Sequence, residues 1–474
     1  MRRFWLPGIL LWVLAEHPCG AEDWPQFRGP NASGVSTAAH PLPSQFSSTE
    51  NVIWSVASGD GISSPIVSRE RVYLTSFEGD DTFRLRCFDA DSGKQRWHTD
   101  WKAEDLPEIH RVNSHASATP ATDGERIYVY FSTLGLAAVD LHGKKVWHRP
   151  LPRPEYIMGW GAAASPIVLG RRVIFNSDDD LDPFLVAVDA KNGGVLWRTA
   201  RPDMLGGYAV PVVCRGARGE ELVVAGTGKL QGFDPESGEE RWTCNSLLRT
   251  ILTTPVAAGD TVYVAVQSHG RPDRVLKVAL LQHRDPNQDG KLEKSDVPER
   301  FWGRFDRGDA NKDGFLEGEE IDRAFQSANN MVGGGEVIQA VRVGGSGDVT
   351  ATHSRWKLED KTPSNLSSPL FSNGRLFMVR RGGISSCYDA ATGERIWFKK
   401  RIQNESEYFA SPIAGDGKIF VAAENGTVVV LADAPELRVL ATNDMGAGCY
   451  ATPAIAGGRL FIRTSEKLYC VGEK

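Results

Sequence analysis

Two stretches, DPNQDGKLEKSD at 285–296 and DANKDGFLEGEE at 309–320, space oxygen-bearing side chains as a hard divalent cation requires. In the second, Asp309, Asn311 and Asp313 stand at positions 1, 3 and 5 of a twelve-residue loop. Gly314 at position 6 allows the sharp bend, and Phe315 offers its backbone carbonyl at 7. Glu317 at 9 acts through water, and Glu320 at 12 can bind with both oxygens. Calcium takes roughly six to eight oxygen ligands, and this is the ligand order of an EF-hand loop. The first loop offers Asp285, Asn287, Asp289, Gly290, the carbonyl of Lys291 and Glu293, and closes on Asp296. Asp is one methylene shorter than Glu, so bidentate reach is harder there. Two calcium sites are expected, the second stronger. The bland alternative, a flexible acidic loop, does not account for a glycine at position 6 of both stretches.

A paired calcium module needs helices around the loops. Leu292 and Leu316 hold position 8 of each loop, where paired loops touch. Pro298 suits the first turn of a helix, which predicts a helix over 298–307 leading into the second loop. Phe301, Trp302 and Phe305 would give it an apolar face and, with Phe325, cover the pair or dock it. The first loop's exit helix is expected to be about one turn. The formal net charge of the chain is −6, and residues 285–320 carry eleven acidic against six basic side chains. The rest of the chain is therefore nearly balanced, which argues against nucleic acid as a partner.

The elements on either side are of another kind. A small residue or two followed by proline recurs at Pro65, Pro120, Pro166, Pro211, Pro255, Pro369, Pro412 and Pro453. A glycine four residues before a tryptophan recurs at Gly93/Trp97, Gly143/Trp147, Gly193/Trp197, Gly238/Trp242 and Gly393/Trp397. Between these marks lie short apolar strands and Asp/Asn–Gly turns that suit tight hairpins. The spacing fits eight units of four strands. The one long gap, 114 residues from Pro255 to Pro369, places the calcium segment between the second and third strands of unit five. The eighth unit runs out before its last strand, while NVIWS, with Trp54, precedes the first proline. A strand donated from the N-terminal side closes the ring and removes open edges. The expected fold is all-β, an eight-bladed β-propeller closed by an N-terminal strand, with a small α-helical EF-hand insertion. An array of β-sandwiches does not explain why the leftover strand matches the deficit. The expected segments are 1–21, a secretory signal peptide with two arginines, an apolar run and a small-residue end; 22–49, a cap over the propeller; 50–280 and 327–474, blades; and 281–326, the calcium pair. A buried N-terminal helix is the alternative for the first segment. No later stretch is long and apolar enough to span a bilayer.

The turns DADSGKQRW, DPESGEERW and DAATGERIW resemble the tryptophan-docking repeat of pyrroloquinoline quinone (PQQ)-type propellers, a group that includes quinoprotein alcohol dehydrogenases and BamB-type outer-membrane assembly lipoproteins. The leader DWPQFRGPNASGVS also resembles the opening of exported bacterial proteins with these repeats. In the dehydrogenases, adjacent cysteines form a disulfide that stacks on the quinone, and a Glu/Asn/Asp set holds a catalytic calcium. No two cysteines are adjacent here and no such set maps onto the chain, so the resemblance implies the fold without PQQ, and no catalytic residues are assigned. Cys87, Cys214, Cys244, Cys387, Cys449 and Cys470 are expected as buried thiols. The segments before each proline should line one face of the ring; they carry His110, Arg111, Asn113, His115, Tyr156, Trp160, Tyr208, Arg249, Asn365, Tyr408 and Tyr450. Such a mouth suits a ligand or peptide, although polar loops and aromatics packing between blades are the plainer account. The expected function is an exported, periplasmic or secreted, calcium-binding scaffold of the cell envelope that holds a protein or peptide on the propeller face, with no lasting membrane anchor. The alternative is a quinoprotein-like oxidoreductase or another enzyme using the central funnel.

Overall fold

In the computed structural model, which describes residues 23–245, 252–268, 276–325, 335–359, 366–402 and 406–473, the tryptophan of one sheet docks on the turn of the next. The Trp147 indole N–H donates to the Ala190 carbonyl at 2.9 Å. Its ring lies where a Cβ on Gly193 would stand, 2.6 Å away. Gly193 has φ +69°, so the turn needs the backbone freedom of glycine and the neighbouring ring needs its missing side chain. Trp54, Trp97, Trp197 and Trp356 repeat the arrangement, with indole bonds of 2.8–3.2 Å to Ala90, Leu141, Pro235 and Ala390. This interlock explains the glycine–tryptophan spacing. Trp242 and Trp397 differ: their indoles bond to Glu221 and to Ser385 of their own blades. The next sheet offers neither of them the glycine turn.

Eight sheets of four or five strands follow one another around the ring. Each runs from an inner to an outer strand, as in Ile167–Leu169, Arg172–Ser177, Phe184–Asp189 and Val195–Ala200 of blade 3. The two middle strands of blade 3 are buried almost throughout and the outer strand alternates with solvent, because the outer edge meets water. The last sheet is completed by Val52–Ala57, with Val52 opposite Val471 and Trp54 opposite Cys470. The N-terminal closure is therefore present. All six cysteines named above are buried as free thiols, and burial raises those of Cys87, Cys214, Cys387, Cys449 and Cys470 to about 12. Among the described residues, no helix is long and apolar enough to cross a membrane.

The leader takes a course the sequence did not specify beyond a cap. Trp24 bridges Val67 of blade 1, Pro25 accepts from Thr122 of blade 2, and Asn31 makes two 2.7 Å bonds with Val213 of blade 4. Arg28 reaches Pro369 before blade 6, and Val35 bridges Ala414 of blade 7. The segment thus crosses the floor of the ring at the turns between first and second strands.

The insertion lies at the opposite, upper face. It leaves blade 5 after Thr261–Ser268 and returns at Gly335–Arg342, which pair directly. Its helices are α1 (Leu276–Arg284), α2 (Trp302–Gly308) and α3 (Glu319–Phe325). The entering helix already begins at Leu276, ahead of the expected boundary at 281.

Candidate functional site

Lys291–Glu293 and Phe315–Glu317 form a two-stranded antiparallel ladder with Leu292 opposite Leu316, so the two position-8 residues meet. In each loop one oxygen of the first Asp accepts the N–H of the position-6 glycine: Asp285 Oδ2 from Gly290 at 2.9 Å, Asp309 Oδ2 from Gly314 at 3.0 Å. Gly290 and Gly314 have φ of 82° and 87°. The other oxygen, Oδ1, is buried without a partner in both. Glu320 folds back over the start of its loop, its Oε1 accepting from Ala310 at 3.0 Å and its Oε2 from Glu317 at 3.4 Å. Asp296 takes the corresponding place in the first loop, accepting from Glu293 at 2.7 Å. Asn287, Asp289, Asn311 and Asp313 are exposed and grip neighbouring loop N–H groups. Among the described residues no three acid, His or Cys side chains stand close enough to form a ready metal cage. The motif and that spacing point in different directions, and the orphaned oxygens are a feature that a bound cation would explain. A buried carboxylate oxygen with no donor is costly, whereas positions 3 and 5 need only side-chain rotation at the surface to turn toward it. The residues fit a hard, oxygen-seeking cation, with Lys291 and Phe315 offering carbonyls and Glu293 and Glu317 carboxylates.

Around the loops the expectation needs two corrections. Phe301, Phe305 and Phe325 are buried, but Trp302 is 38% exposed. Residues four apart share a helix face, and the adjacent one is turned about 100° away. Trp302 instead lies over the surface, its indole donating to the Lys294 carbonyl at 2.9 Å. Pro298 caps a short 3-10 turn, Glu299–Phe301, ahead of α2 rather than opening the helix itself. The insertion is also no detached decoration. Its core (Leu280, Leu292, Val297, Phe301, Phe305, Leu316, Ile321, Phe325) is continuous with Ile157, Leu181 and Leu205 from upper loops around blade 3.

Sequence reasoning missed the polar half of that seam. The run SDDDLD at 177–182 closes the second hairpin of blade 3, and Asp178, Asp179 and Asp180 are all buried. Asp178 is held by Arg201 through bonds of 2.7 and 2.9 Å. Asp179 accepts N–H groups from Glu155, Leu181 and Asp182, yet burial outweighs them and raises its pKa to about 6. From the insertion, Arg304 donates to the Leu181 carbonyl at 2.6 Å and to Asp182 at 2.9 Å. Arg284 and Arg300 each stand 3.5 Å from the buried Glu155. Three consecutive acids after a strand were the available signal; what was missing was the insertion's arginines, which lie more than a hundred residues from the acids they meet.

The funnel residues separate into groups. Trp160 is 42% and Met158 43% exposed on the loop between blades 2 and 3. His110 packs against Trp160 with ring centroids 4.2 Å apart, and Tyr156 stacks on Tyr208 at 5.1 Å. Asn113 donates to the Trp160 carbonyl at 2.6 Å, and Arg111 is exposed. His115 is tucked against Phe77, and burial lowers its pKa. Tyr450 donates to Glu424 at 3.0 Å. Tyr408 is 1% exposed within a blade core and does not reach the mouth. Arg249, Asn365 and the signal segment lie outside the described residues.

Below the mouth, the residue before each repeat proline lines a narrow axial cavity of about 150 Å³, with Phe27 of the leader also in its wall. A hydrogen-bonded ring runs through these positions. Ser64 N–H donates to the Thr119 hydroxyl (3.0 Å), Thr119 to Ser165 (2.9 Å), Val210 to Thr254 (3.1 Å), Thr254 to Ser368 (3.0 Å), Ser368 to Ser411 (3.0 Å), Ser411 to Thr452 (3.0 Å) and Thr452 back to Ser64 (3.0 Å). One step is missing, where Val210 has no hydroxyl to offer Ser165. The recurrent Ser/Thr before proline is therefore a lock between neighbouring blades.

A closed ring of tryptophan-docked four-stranded blades defines an eight-bladed propeller of the PQQ-repeat class. The profile of the family described as "Outer membrane protein assembly factor BamB" matches residues 44–177, 158–284, 333–438 and 380–473, and the chain belongs to that family. A relative named outer membrane protein assembly factor BamB, from Yersinia pestis, is 23% identical over 410 residues, covering 82% of this chain and 90% of its own length. BamB from Moraxella catarrhalis superposes with a TM-score of 0.55 at 14% identity, over 89% of this chain and 97% of that one. Quinohemoprotein alcohol dehydrogenase from Comamonas testosteroni gives 0.57 at 12%, over 97% and 82%, and the computationally designed Ika8 protein 0.56 at 8%, over 89% and 99%. At these identities the structures share the fold.

Proposed function

We propose that this chain is an exported, calcium-binding propeller that holds a protein or peptide on its upper face, as a scaffold of the cell envelope. The observation that carries this is the asymmetry of the ring: the leader covers the floor, while the upper rim presents Trp160, packed against His110, and Met158 beside the stacked Tyr156–Tyr208 pair and the docked insertion. Exposed aromatic anchors at a mouth are what a protein or peptide partner buries. The kinship with an assembly factor supports the same reading. Photo-crosslinking from position 160 in intact envelopes is expected to trap a protein, and Met158→Ala should reduce the yield. Equal yields from position 160 and from Asp123 on the floor would remove the upper face as the site.

The buried, unpartnered Oδ1 atoms of Asp285 and Asp309 support the calcium half of the proposal. Extracellular modules bind calcium at roughly 10⁻⁴ to 10⁻³ M. Calorimetric titration of the mature chain should show two sites. Glu320→Gln should abolish the tighter one and Asp296→Glu should tighten the other. A titration without heat or competition by terbium would overturn calcium binding and leave the scaffold proposal standing. Supplying PQQ with calcium should give no dye-linked alcohol oxidation above a heat-killed control; turnover would favour an oxidoreductase.

A further inference from the structure

The insertion and the propeller loops beside it enclose a cavity of about 320 Å³ on the upper face. Its wall joins distant parts of the chain: Glu108 ahead of blade 2, Ser132 at the end of a blade 2 strand, the loop between blades 2 and 3, and Arg284 of the insertion. Two hydroxyls in this wall have no acceptor. Ser132 is 8% exposed, and its hydroxyl bonds to no protein group among the described residues. The Tyr156 hydroxyl has no such bond either, and burial raises its pKa well above the ordinary value, which keeps it protonated. Neither oxygen is sealed off by protein, so both reach the open space they line. A protonated hydroxyl is a donor.

The charged donors supply a second observation, made on different atoms. Glu155 is buried and faced by three guanidinium groups, Arg153 at 3.4 Å and Arg284 and Arg300 at 3.5 Å. Bonds of this kind close to about 2.7–2.9 Å, so one carboxylate is shared among three and grips none. Arg300 also stands 3.9 Å from Asp179, and Arg153 donates to the Asp105 carbonyl at 3.0 Å. Arg284 has only its long contact with Glu155 among the described residues. Both Arg153 and Arg284 line the cavity. The other acid of the wall, Glu108, is exposed to water.

We propose that this cavity takes the carboxylate of an acidic side chain from the protein or peptide held on the upper face, an inference that rests on that reading of the face. The incoming carboxylate supplies acceptors to Ser132, Tyr156 and Arg284, and gives the arginines a second negative charge to close on. Gly159 lines the cavity and stands between Met158 and Trp160 in the chain, so the exposed apolar anchors flank it. The segment selected is therefore an acid beside apolar residues.

The full mature chain is to be tested on an array of acetylated, amidated decapeptides of varied sequence. Each carries Asp or Glu beside an apolar residue and is paired with a copy bearing the amide instead; a third set replaces the acid by a free C-terminus. The acid peptides should bind about tenfold tighter than their amide copies, as one hydrogen bond to a charged group provides. Ser132→Ala and Tyr156→Phe should each shrink that ratio, and Arg284→Gln should bring it close to one. If Arg284→Gln fails to fold, the two hydroxyl variants decide. Binding that falls in Trp160→Ala but is equal for acid and amide copies overturns the carboxylate and leaves the upper-face reading standing. A preference for the free C-terminus alone assigns the cavity to a chain end and overturns the proposal as well. An array with no binder overturns both.

Discussion

The two faces of the ring are held by different physics. On the floor, one bond type is repeated: a backbone N–H to a Ser or Thr of the next blade, seven times at 2.9–3.1 Å, with the leader laid across the turns. On the upper face, nothing repeats. A long insertion rests on one blade through a shared apolar core and an arginine–acid seam. Repetition makes the floor insensitive to any single residue. The upper seam depends on a few residues and can be loosened alone, which suits a face that carries specificity.

The largest test removes what the repeat cannot replace. Deleting residues 50–56 takes away the fourth strand of the last blade, with Trp54 and its bond to Ala90. The truncated chain should expose an open edge and aggregate; a soluble product melting like the full chain would contradict closure. Phe301→Ala cuts the shared core of the seam. A buried Phe-to-Ala change costs about 3–5 kcal/mol, and here the loss should fall on the insertion. Hydrogen exchange should accelerate in 276–325 and in 155–157 but not in blades 6 to 8. Acceleration throughout would mean that the two regions unfold as one.

The acid seam is expected to show in the pH profile. Asp179 has a folded pKa raised to about 6. Its neutral form is therefore favoured in the folded state. That contribution is fully present below the ordinary Asp value and is lost as pH rises through about 6. Stability measured by urea from pH 4 to 7 should carry this falling component, and Asp179→Asn should flatten it whatever its offset. An unchanged slope would place the titration elsewhere. The smallest effect belongs to the floor: Val210→Thr completes the ring by offering Ser165 an acceptor, and should stabilise by about 1 kcal/mol, measured as a shift in the urea midpoint. A loss of similar size would show that the site has no room for the hydroxyl bond.

Blade number, closure and the paired bends at 285–296 and 309–320 were legible in the chain because each depends on short-range pattern. Asp, Gly and Trp recur at fixed offsets since one turn and one docked ring need them, and the loop acids follow a single bend, as the Gly290 and Gly314 dihedrals show. The residue before each proline was visible as part of the repeat, but its role in a ring was not, because its partner lies 41 to 388 residues away in the neighbouring blade. Trp302 was placed on the wrong side of its helix, since its neighbours Phe301 and Phe305 alone fill the core.

Sequence by itself determined the repeat, the strand that closes it, and the spacing of oxygen-bearing side chains at 285–296 and 309–320, because local geometry selects those residues wherever they stand. Only the tertiary structure decided where the leader runs, where the insertion docks, which tryptophans interlock, and that Ser132, Tyr156 and Arg284 share one cavity wall. Those outcomes depend on surfaces brought together from distant parts of the chain, and no pattern along the sequence encodes which distant group will be the neighbour.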